Sequence, residues 1–136
     1  MSNFKIFDIA GSGMSAQSVR LNTVASNLAN ADSVSGDPNN VYRAKHPVFQ
    51  AVMGGGDQST AKVNVTGISE SQAAPETRYD PGNPLADAQG NVYAPNVNVV
   101  EEMADMISAS RSYQNNVEVL STARDMMLAT LKLGQS

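Results

Sequence analysis

The sequence predicts a mostly α-helical protein in which long N- and C-terminal helices form a coiled-coil pair around a short, irregular β-hairpin region. All six prolines lie between residues 32 and 97, and the flanking segments contain none. Apolar residues recur every seven positions in both flanking segments, as in coiled coils. Turn residues cluster between them. We therefore divide the chain into an N-terminal helix (1–31), a loop and β-hairpin region (32–97) and a C-terminal helix (98–136).

The first helix is expected to run from about Asn3 to Ala31 and carries a heptad repeat. Steps of three and four place one large apolar row and one mostly small row on the same side. A glycine costs about 1 kcal/mol relative to alanine inside a helix, so this side is expected to gain stability through packing. The candidate interface positions are Phe4, Phe7, Gly11, Met14, Ser18, Leu21, Ala25 and Leu28.

The last helix is expected to run from about Asn98 to Leu133. Asn98 is a good N-cap, Glu101 follows it three residues later, and Gly134 is a suitable stop. The same three-four spacing produces a second apolar stripe. Its candidate interface positions are Met103, Met106, Ser110, Tyr113, Val117, Leu120, Met127 and Leu131.

Neutral polar residues, rather than charged ones, fill much of the opposite side of the last helix. Charge is depleted in the buried cores of protein interfaces, so this composition favours an assembly subunit. A two-helix hairpin that folds within one monomer is the alternative, since amphipathic helices commonly pack in that way. The polar positions are Ser108, Ser112, Gln114, Asn115, Asn116, Ser121 and Thr122.

The middle region reads as short strands separated by turns. Lys62–Thr66 alternates with period two, and Gly67 indicates a bulge before the strand continues. Asp80–Pro84 and Gln89–Asn91 have strong turn chemistry. Loops are expected at residues 33–40 and 54–59.

Composition excludes several classes of protein. The chain has no cysteine, so disulfides and thiolate zinc sites are excluded. Its net charge of −4 argues against nucleic acid as a partner. No apolar run approaches the roughly 18 residues that a membrane span needs. The first thirty residues lack the apolar core of a cleaved signal peptide, so export would have to use another route.

Candidates for catalysis, metal binding or cofactor binding are weak. His46 is the only histidine and has no partner at metal-binding or catalytic spacing. Asp80 and Asp87 lie where turns are expected, and their spacing does not match a calcium loop. Glu101 and Glu102 fall in the first turn of the last helix, where they complement the helix dipole. The sequence therefore predicts no enzyme, no metal site and no cofactor.

Several segments spread over nearly the whole chain share one resemblance. They are Val24–Ser33, Tyr42–Phe49, Tyr79–Pro84, Pro95–Asn98 and Arg111–Asn116. Together they resemble the flagellar axial proteins of rod and hook and, among these, the FlgC-type proximal rod proteins.

This resemblance implies a structural subunit of the proximal rod, which assembles through terminal helices into the tubular drive shaft of the flagellar basal body. It implies a periplasmic location and export by the flagellar apparatus without a cleaved signal. The implied partners are other copies of the chain, neighbouring proximal and distal rod proteins, the membrane-ring adaptor and the export apparatus. Another rod or hook axial subunit, or a small soluble binding domain, is the alternative.

Overall fold

The computed structural model describes residues 2–53 and 60–134, with two long terminal helices and a small antiparallel β region between them. This confirms the predicted order of elements. The loop expected at residues 54–59 and the side chain of Phe4 lie outside the described part. In chain order the elements are α1 (Ser2–Asn30), a 3-10 turn (Pro38–Asn40), β1 (Lys45–Met53), β2 (Ala61–Glu70), β3 (Glu76–Tyr79), β4 (Asn91–Ala94) and α2 (Val99–Leu133).

The N-terminus of α2 follows the expected capping chemistry. The Asn98 side-chain oxygen accepts from the backbone N–H groups of Val100, at 3.1 Å, and Glu101, at 3.3 Å. It thus satisfies two of the amides that the first turn leaves without a helical partner. At the other end, α2 ends before Gly134 as expected, but Gly134 keeps a right-handed conformation, with φ −81° and ψ −7°, instead of the left-handed one of a glycine cap. Its N–H donates to the Thr130 carbonyl at 3.1 Å.

β1 and β2 form a long antiparallel ribbon that contains the expected bulge. Phe49 lies opposite Val65 and Val48 lies opposite Gly67, which leaves Thr66 as the extra residue. An extra residue bends the strand and increases its twist. The prediction of a period-two strand that continues beyond a bulge near Gly67 is therefore confirmed.

β3 and β4 form a second, shorter hairpin whose connection holds both predicted turns. Gly90 has a φ of 81°, a left-handed conformation that glycine adopts without steric cost. Ser35, in the segment after α1, exchanges two backbone hydrogen bonds with Tyr93, at 2.9 and 2.8 Å. This bridge ties the loop after α1 to β4.

α1 and α2 lie side by side and run antiparallel. Rows that repeat every seven residues make the closest contacts, one position before the row Phe7, Met14, Leu21 and Leu28 in α1 and one position before Met103, Ser110 and Val117 in α2. Small side chains and polar pairs dominate them, which allows close approach and hydrogen bonding between the helices. We call them the inner rows: Ile6, Gly13, Arg20 and Asn27 in α1, and Glu102, Ala109, Asn116 and Ala123 in α2.

Three contacts along the inner rows establish the antiparallel direction. Asn27 in α1 meets Glu102 in α2, and Arg20 pairs with Asp105. A Cβ atom built at Gly13 would lie 3.3 Å from the side-chain Cγ of Asn116. Residue numbers thus rise along one helix as they fall along the other. Coiled-coil pairing of α1 with α2 through the predicted stripes is therefore not confirmed.

The β1–β2 ribbon packs on another side of α1. The Lys62 ammonium group donates to the Asp8 carboxylate at 2.9 Å, and the Val63 N–H donates to the Ser12 hydroxyl at 3.1 Å. Asp8 and Ser12 lie one turn apart on the same side of the helix. α1 is therefore covered on two sides, by α2 and by the ribbon.

Candidate assembly surface

The predicted stripes lie on one common side of the helix pair. In α1 the row Phe7, Met14, Leu21 and Leu28 follows the inner row by one residue, so it lies about 100° further round the helix. In α2 the row that begins at Met103 does the same, whereas Met106, Leu120 and Met127 follow the inner row by four residues and lie half-buried about 40° from it. Because the helices are antiparallel, these rotations move both stripes toward the same side of the pair. The ribbon contacts at Asp8 and Ser12 lie in the opposite rotational sense from the inner row of α1. The ribbon and the large row of α1 therefore lie on different sides of the helix, with the small row between them.

The stripe of α1 is only partly covered within the chain. Its large residues are half-buried along the margin of the helix contact, whereas its small residues face outward. Ser18 and Ala25 are exposed, and a Cβ atom at Gly11 would meet no other atom within 4 Å. No helix of this chain therefore packs closely on Gly11, Ser18 or Ala25. The half-buried residues are Phe7, Met14, Leu21 and Leu28.

The stripe of α2 is more open. Met103 is 55% exposed, Val117 44% and Leu131 61%, and Tyr113 is also exposed. Two neighbouring apolar residues, Ile107 and Leu128, widen the exposed area. Contiguous apolar surface of this kind marks protein interaction sites. The remaining stripe positions, Met106, Ser110, Leu120 and Met127, are half-buried.

A fully buried amide connects the two helices to the ribbon. Asn27 has no exposed surface. Its Nδ2 donates to the carbonyl of Lys45 and to Oε1 of Glu102, each at 2.9 Å. Its Oδ1 accepts from the Lys45 N–H and from the Tyr42 hydroxyl, again at 2.9 Å. The amide thereby makes all four hydrogen bonds of which it is capable.

Asn27 lies within the segment Val24–Ser33 that carries the family resemblance, but its structural role could not be predicted from the sequence. The available signal was a short polar side chain between apolar Val24 and Leu28. Such a residue is unfavourable inside a helix unless a specific partner satisfies it. The partners come from β1 and α2, which are distant in sequence, so periodicity could not identify them.

A second polar pair lies one heptad before Asn27. Arg20 Nε donates to Asp105 Oδ2 at 3.1 Å, and Arg20 Nη2 donates to Asp105 Oδ1. The pairing is therefore bidentate, which fixes the relative orientation of the two side chains. Both are partly exposed, so the pair contributes more to geometry than to stability.

The acidic turn residue Asp87 has a structural role within the second hairpin. Its Oδ1 accepts from the N–H groups of Asn91, at 2.8 Å, and Gln89, at 2.9 Å, and its Oδ2 accepts from the Tyr93 hydroxyl at 3.1 Å. The hydrogen bonds, chiefly that from Asn91, lower the pKa of Asp87, and the carboxylate raises the pKa of Tyr93. These groups stabilise a turn.

No chemical site emerges among the described residues. His46 is exposed on β1. In residues 2–53 and 60–134, no three His, Asp or Glu side chains are grouped so as to hold a metal ion. Within the same ranges, neither helix is long and apolar enough to cross a bilayer.

Comparison with known proteins connects both terminal segments to one class. Residues 7–36 match the family model described as flagella basal body rod protein. Residues 88–133 match the model described as flagellar basal body rod FlgEFG protein C-terminal. The two matches cover most of α1 and all of α2, the helices that carry the stripes.

Relatives align over nearly the full chain. The flagellar basal-body rod protein FlgC of Salmonella typhimurium is 58% identical over 135 residues, which are 99% of this chain and 100% of the relative. FlgC of Yersinia enterocolitica is 57% identical with the same coverage. FlgC of Aquifex aeolicus is 44% identical over 97% of each chain.

Proposed function

Because the chain belongs to the FlgC family of flagellar basal-body rod proteins, we propose that its two apolar stripes are the surfaces through which it packs into the rod. The protein is a structural subunit of the flagellar basal-body rod. Its relatives are structural rod proteins and not enzymes. The proposal concerns how the subunit is built into that structure.

The placement of the stripes on one side of the helix pair carries the proposal. Packing within the chain uses the inner rows and leaves Met103, Val117 and Leu131 largely open. A neighbouring helix that lies against this side would bury both stripes at once. The small residues Gly11 and Ala25 would let its backbone approach α1 closely, since neither carries a large side chain.

The occupants we propose are the terminal helices of neighbouring rod subunits. These are other copies of this chain and the adjacent proximal and distal rod proteins. We place the subunit in the proximal, periplasmic part of the rod, where it would also meet the membrane-ring adaptor. Delivery would occur through the flagellar export apparatus without a cleaved signal peptide. The family assignment favours this function over a hook subunit or a small soluble binding domain.

A charge introduced at the centre of the α2 stripe provides the test. Val117→Asp would place a carboxylate inside the proposed interface, where an unpaired charge is costly. The isolated subunit should tolerate this change, since Val117 is exposed there. We expect a strain that carries only this variant to lose swimming and to yield basal bodies that lack the subunit.

Ala104→Asp is the matched control. Ala104 lies on the same helix and is exposed. The residues that follow it at steps of seven are all charged: Arg111, Glu118, Asp125 and Lys132. This variant should swim and assemble normally. Normal assembly of Val117→Asp, at the level of Ala104→Asp, would contradict the proposed interface.

A further inference from the structure

We propose that Asn27 and Arg20 are positioning residues for assembly, which hold α1 and α2 in the rotation that turns both apolar stripes outward. This inference rests on the proposed function of the stripes. It concerns the relative rotation of the helices, which is a property of the single subunit. It can therefore be tested on the monomer, independently of assembly.

The helix pair has a second plausible packing. Turning each helix by about 100° about its own axis would replace the inner rows at the contact by Phe7, Met14, Leu21 and Leu28 in α1 and by the row that begins at Met103 in α2. That arrangement would bury Leu21, Met103 and Val117 within the monomer, and burial of apolar surface is the main driving force for helix packing. It would also remove the surface that a neighbouring subunit needs. The observed packing places the more polar rows at the contact instead.

Directional hydrogen bonds distinguish the two packings. In the observed rotation Asn27 reaches Glu102, and Arg20 reaches Asp105. Glu102 is 8% exposed, so its carboxylate needs this partner. In the rotated packing the same groups would be withdrawn from one another, and these directional hydrogen bonds between the helices would be lost. A buried asparagine fixes register in coiled coils by the same physics.

The ribbon strengthens this selection. Asn27 also binds both backbone polar groups of Lys45, at the start of β1, and the hydroxyl of Tyr42. A rotation of α1 would therefore break contacts with the ribbon as well as with α2. Ser26 adds a contact of 3.1 Å to the same tyrosine hydroxyl. The rotation of α1 is thus fixed from two sides.

Disulfide cross-linking can report the rotation, because the natural chain contains no cysteine. The pair Gly13→Cys with Asn116→Cys lies at the observed contact, where a Cβ at position 13 would be 3.3 Å from Asn116 Cγ. The pair Leu28→Cys with Met103→Cys lies on the two stripes, each residue one position after Asn27 and Glu102, which meet in the observed packing. It would come within disulfide reach, a Cβ separation of about 3.5–4.5 Å, only in the rotated packing. Oxidation of dilute monomer should link 13 to 116 and leave 28 and 103 reduced.

Each cysteine pair is then introduced into a variant in which Asn27→Leu is combined with Glu102→Leu. Loss of a buried hydrogen-bonded pair should shift the ratio of the 28–103 link to the 13–116 link by roughly tenfold or more. Glu102→Gln is the conservative control, since its side-chain oxygen can still accept from Asn27. The control should keep the linking pattern of the natural chain.

Two results would overturn the inference. One is a leucine variant that retains the 13–116 link at its original yield. The other is a folded leucine variant that loses this link without gaining the 28–103 link. If the leucine variant fails to fold, the same cysteine pairs are introduced into a variant that combines Arg20→Met with Asp105→Leu. The same two results would then overturn the inference. Failure of the stripes as assembly surfaces would appear separately, as normal assembly of Val117→Asp with an unchanged linking pattern.

Discussion

The side-chain amide of Asn27 in α1 donates a 2.9 Å hydrogen bond to Oε1 of Glu102 in the first turn of α2. The same amide binds both backbone groups of Lys45. Residues 75 and 18 positions away in sequence therefore meet at one side chain. This amide therefore joins α1, α2 and the start of β1.

Asn27→Ala should destabilise the monomer substantially. The change leaves Glu102 and the backbone of Lys45 without a partner, at about 1–3 kcal/mol for each buried group left unsatisfied. Urea denaturation followed by circular dichroism measures the loss in the free energy of unfolding. Asn22→Ala is the control, because Asn22 is exposed on the same helix and should change stability by less than about 0.5 kcal/mol. Equal effects from the two variants would show that the amide network contributes little.

The two glycines of α1 should respond differently to alanine. Gly11→Ala adds a Cβ that meets nothing within 4 Å, so helix propensity alone should stabilise the monomer by about 1 kcal/mol. Gly13→Ala adds a Cβ only 2.9 Å from Asn116 Nδ2, and the amide must move, which reduces the gain. In an Asn116→Ala background the Gly13 change should approach the Gly11 value. Thermal denaturation compares Gly11→Ala, Gly13→Ala, Asn116→Ala and the Gly13→Ala, Asn116→Ala double variant. Identical shifts in the midpoint of unfolding for Gly11→Ala and Gly13→Ala would refute the close contact.

Overpacking of the small row should affect the assembly but not the monomer. Ala25 is exposed in the subunit, so Ala25→Leu should leave the monomer's free energy of unfolding nearly unchanged. In the assembled rod it should cost roughly 1–3 kcal/mol per interface, and Leu21→Ala should cost about 2–5 kcal/mol. Recovery of variant subunits in isolated basal bodies measures the effect. Ala104→Leu, an exposed position on α2 away from the stripe, should be recovered normally, and equal recovery of all three would exclude the proposed row.

The Asp87 turn should lose stability in acid. Because the pKa of Asp87 in the folded chain is lowered from 3.8, its contribution to stability is present above that pH and is lost as the pH falls through the lowered value. Tyr93→Phe removes one of the hydrogen bonds responsible and should raise the pKa of Asp87 toward its ordinary value. A carboxyl titration followed by NMR measures both. Tyr79→Phe, an exposed position in the same hairpin, should have no effect, and a titration of Asp87 at or above 3.8 in the natural chain would contradict this account.

Hydrogen exchange should reveal a weakly protected first helix in the dilute monomer. α1 contains two glycines, its contact with α2 is made by small and polar residues, and its stripe is largely uncovered. Fixing each residue of a helix costs about 1–2 kcal/mol of backbone entropy, which packing must offset. We expect weaker protection over residues 4–31 than over the described residues between 63 and 93. Strong protection throughout α1 in a verified monomer would instead indicate a self-sufficient helical hairpin.

The order and limits of the elements could largely be predicted from local chemistry. The capping by Asn98, the bulge beside Gly67 and the turns around Asp80–Pro84 and Gly90 depend on residues within a few positions of one another. The strand that pairs with β2 was not predicted, because apolar and polar residues do not alternate clearly along β1. Pairing with β2 determines that strand, and such pairing depends on residues distant in sequence.

The sequence by itself determined the two long helices and the apolar stripe on each, because helix periodicity is a local property that a single segment records. The sequence also determined the family, through short signatures that include Asn27. Only the tertiary structure decided which side of each helix faces the other. The inner rows precede the stripes by one residue, and no periodicity distinguishes two adjacent sides of a helix. That choice depends on hydrogen bonds such as Asn27 to Glu102, whose partners come together only when the chain folds.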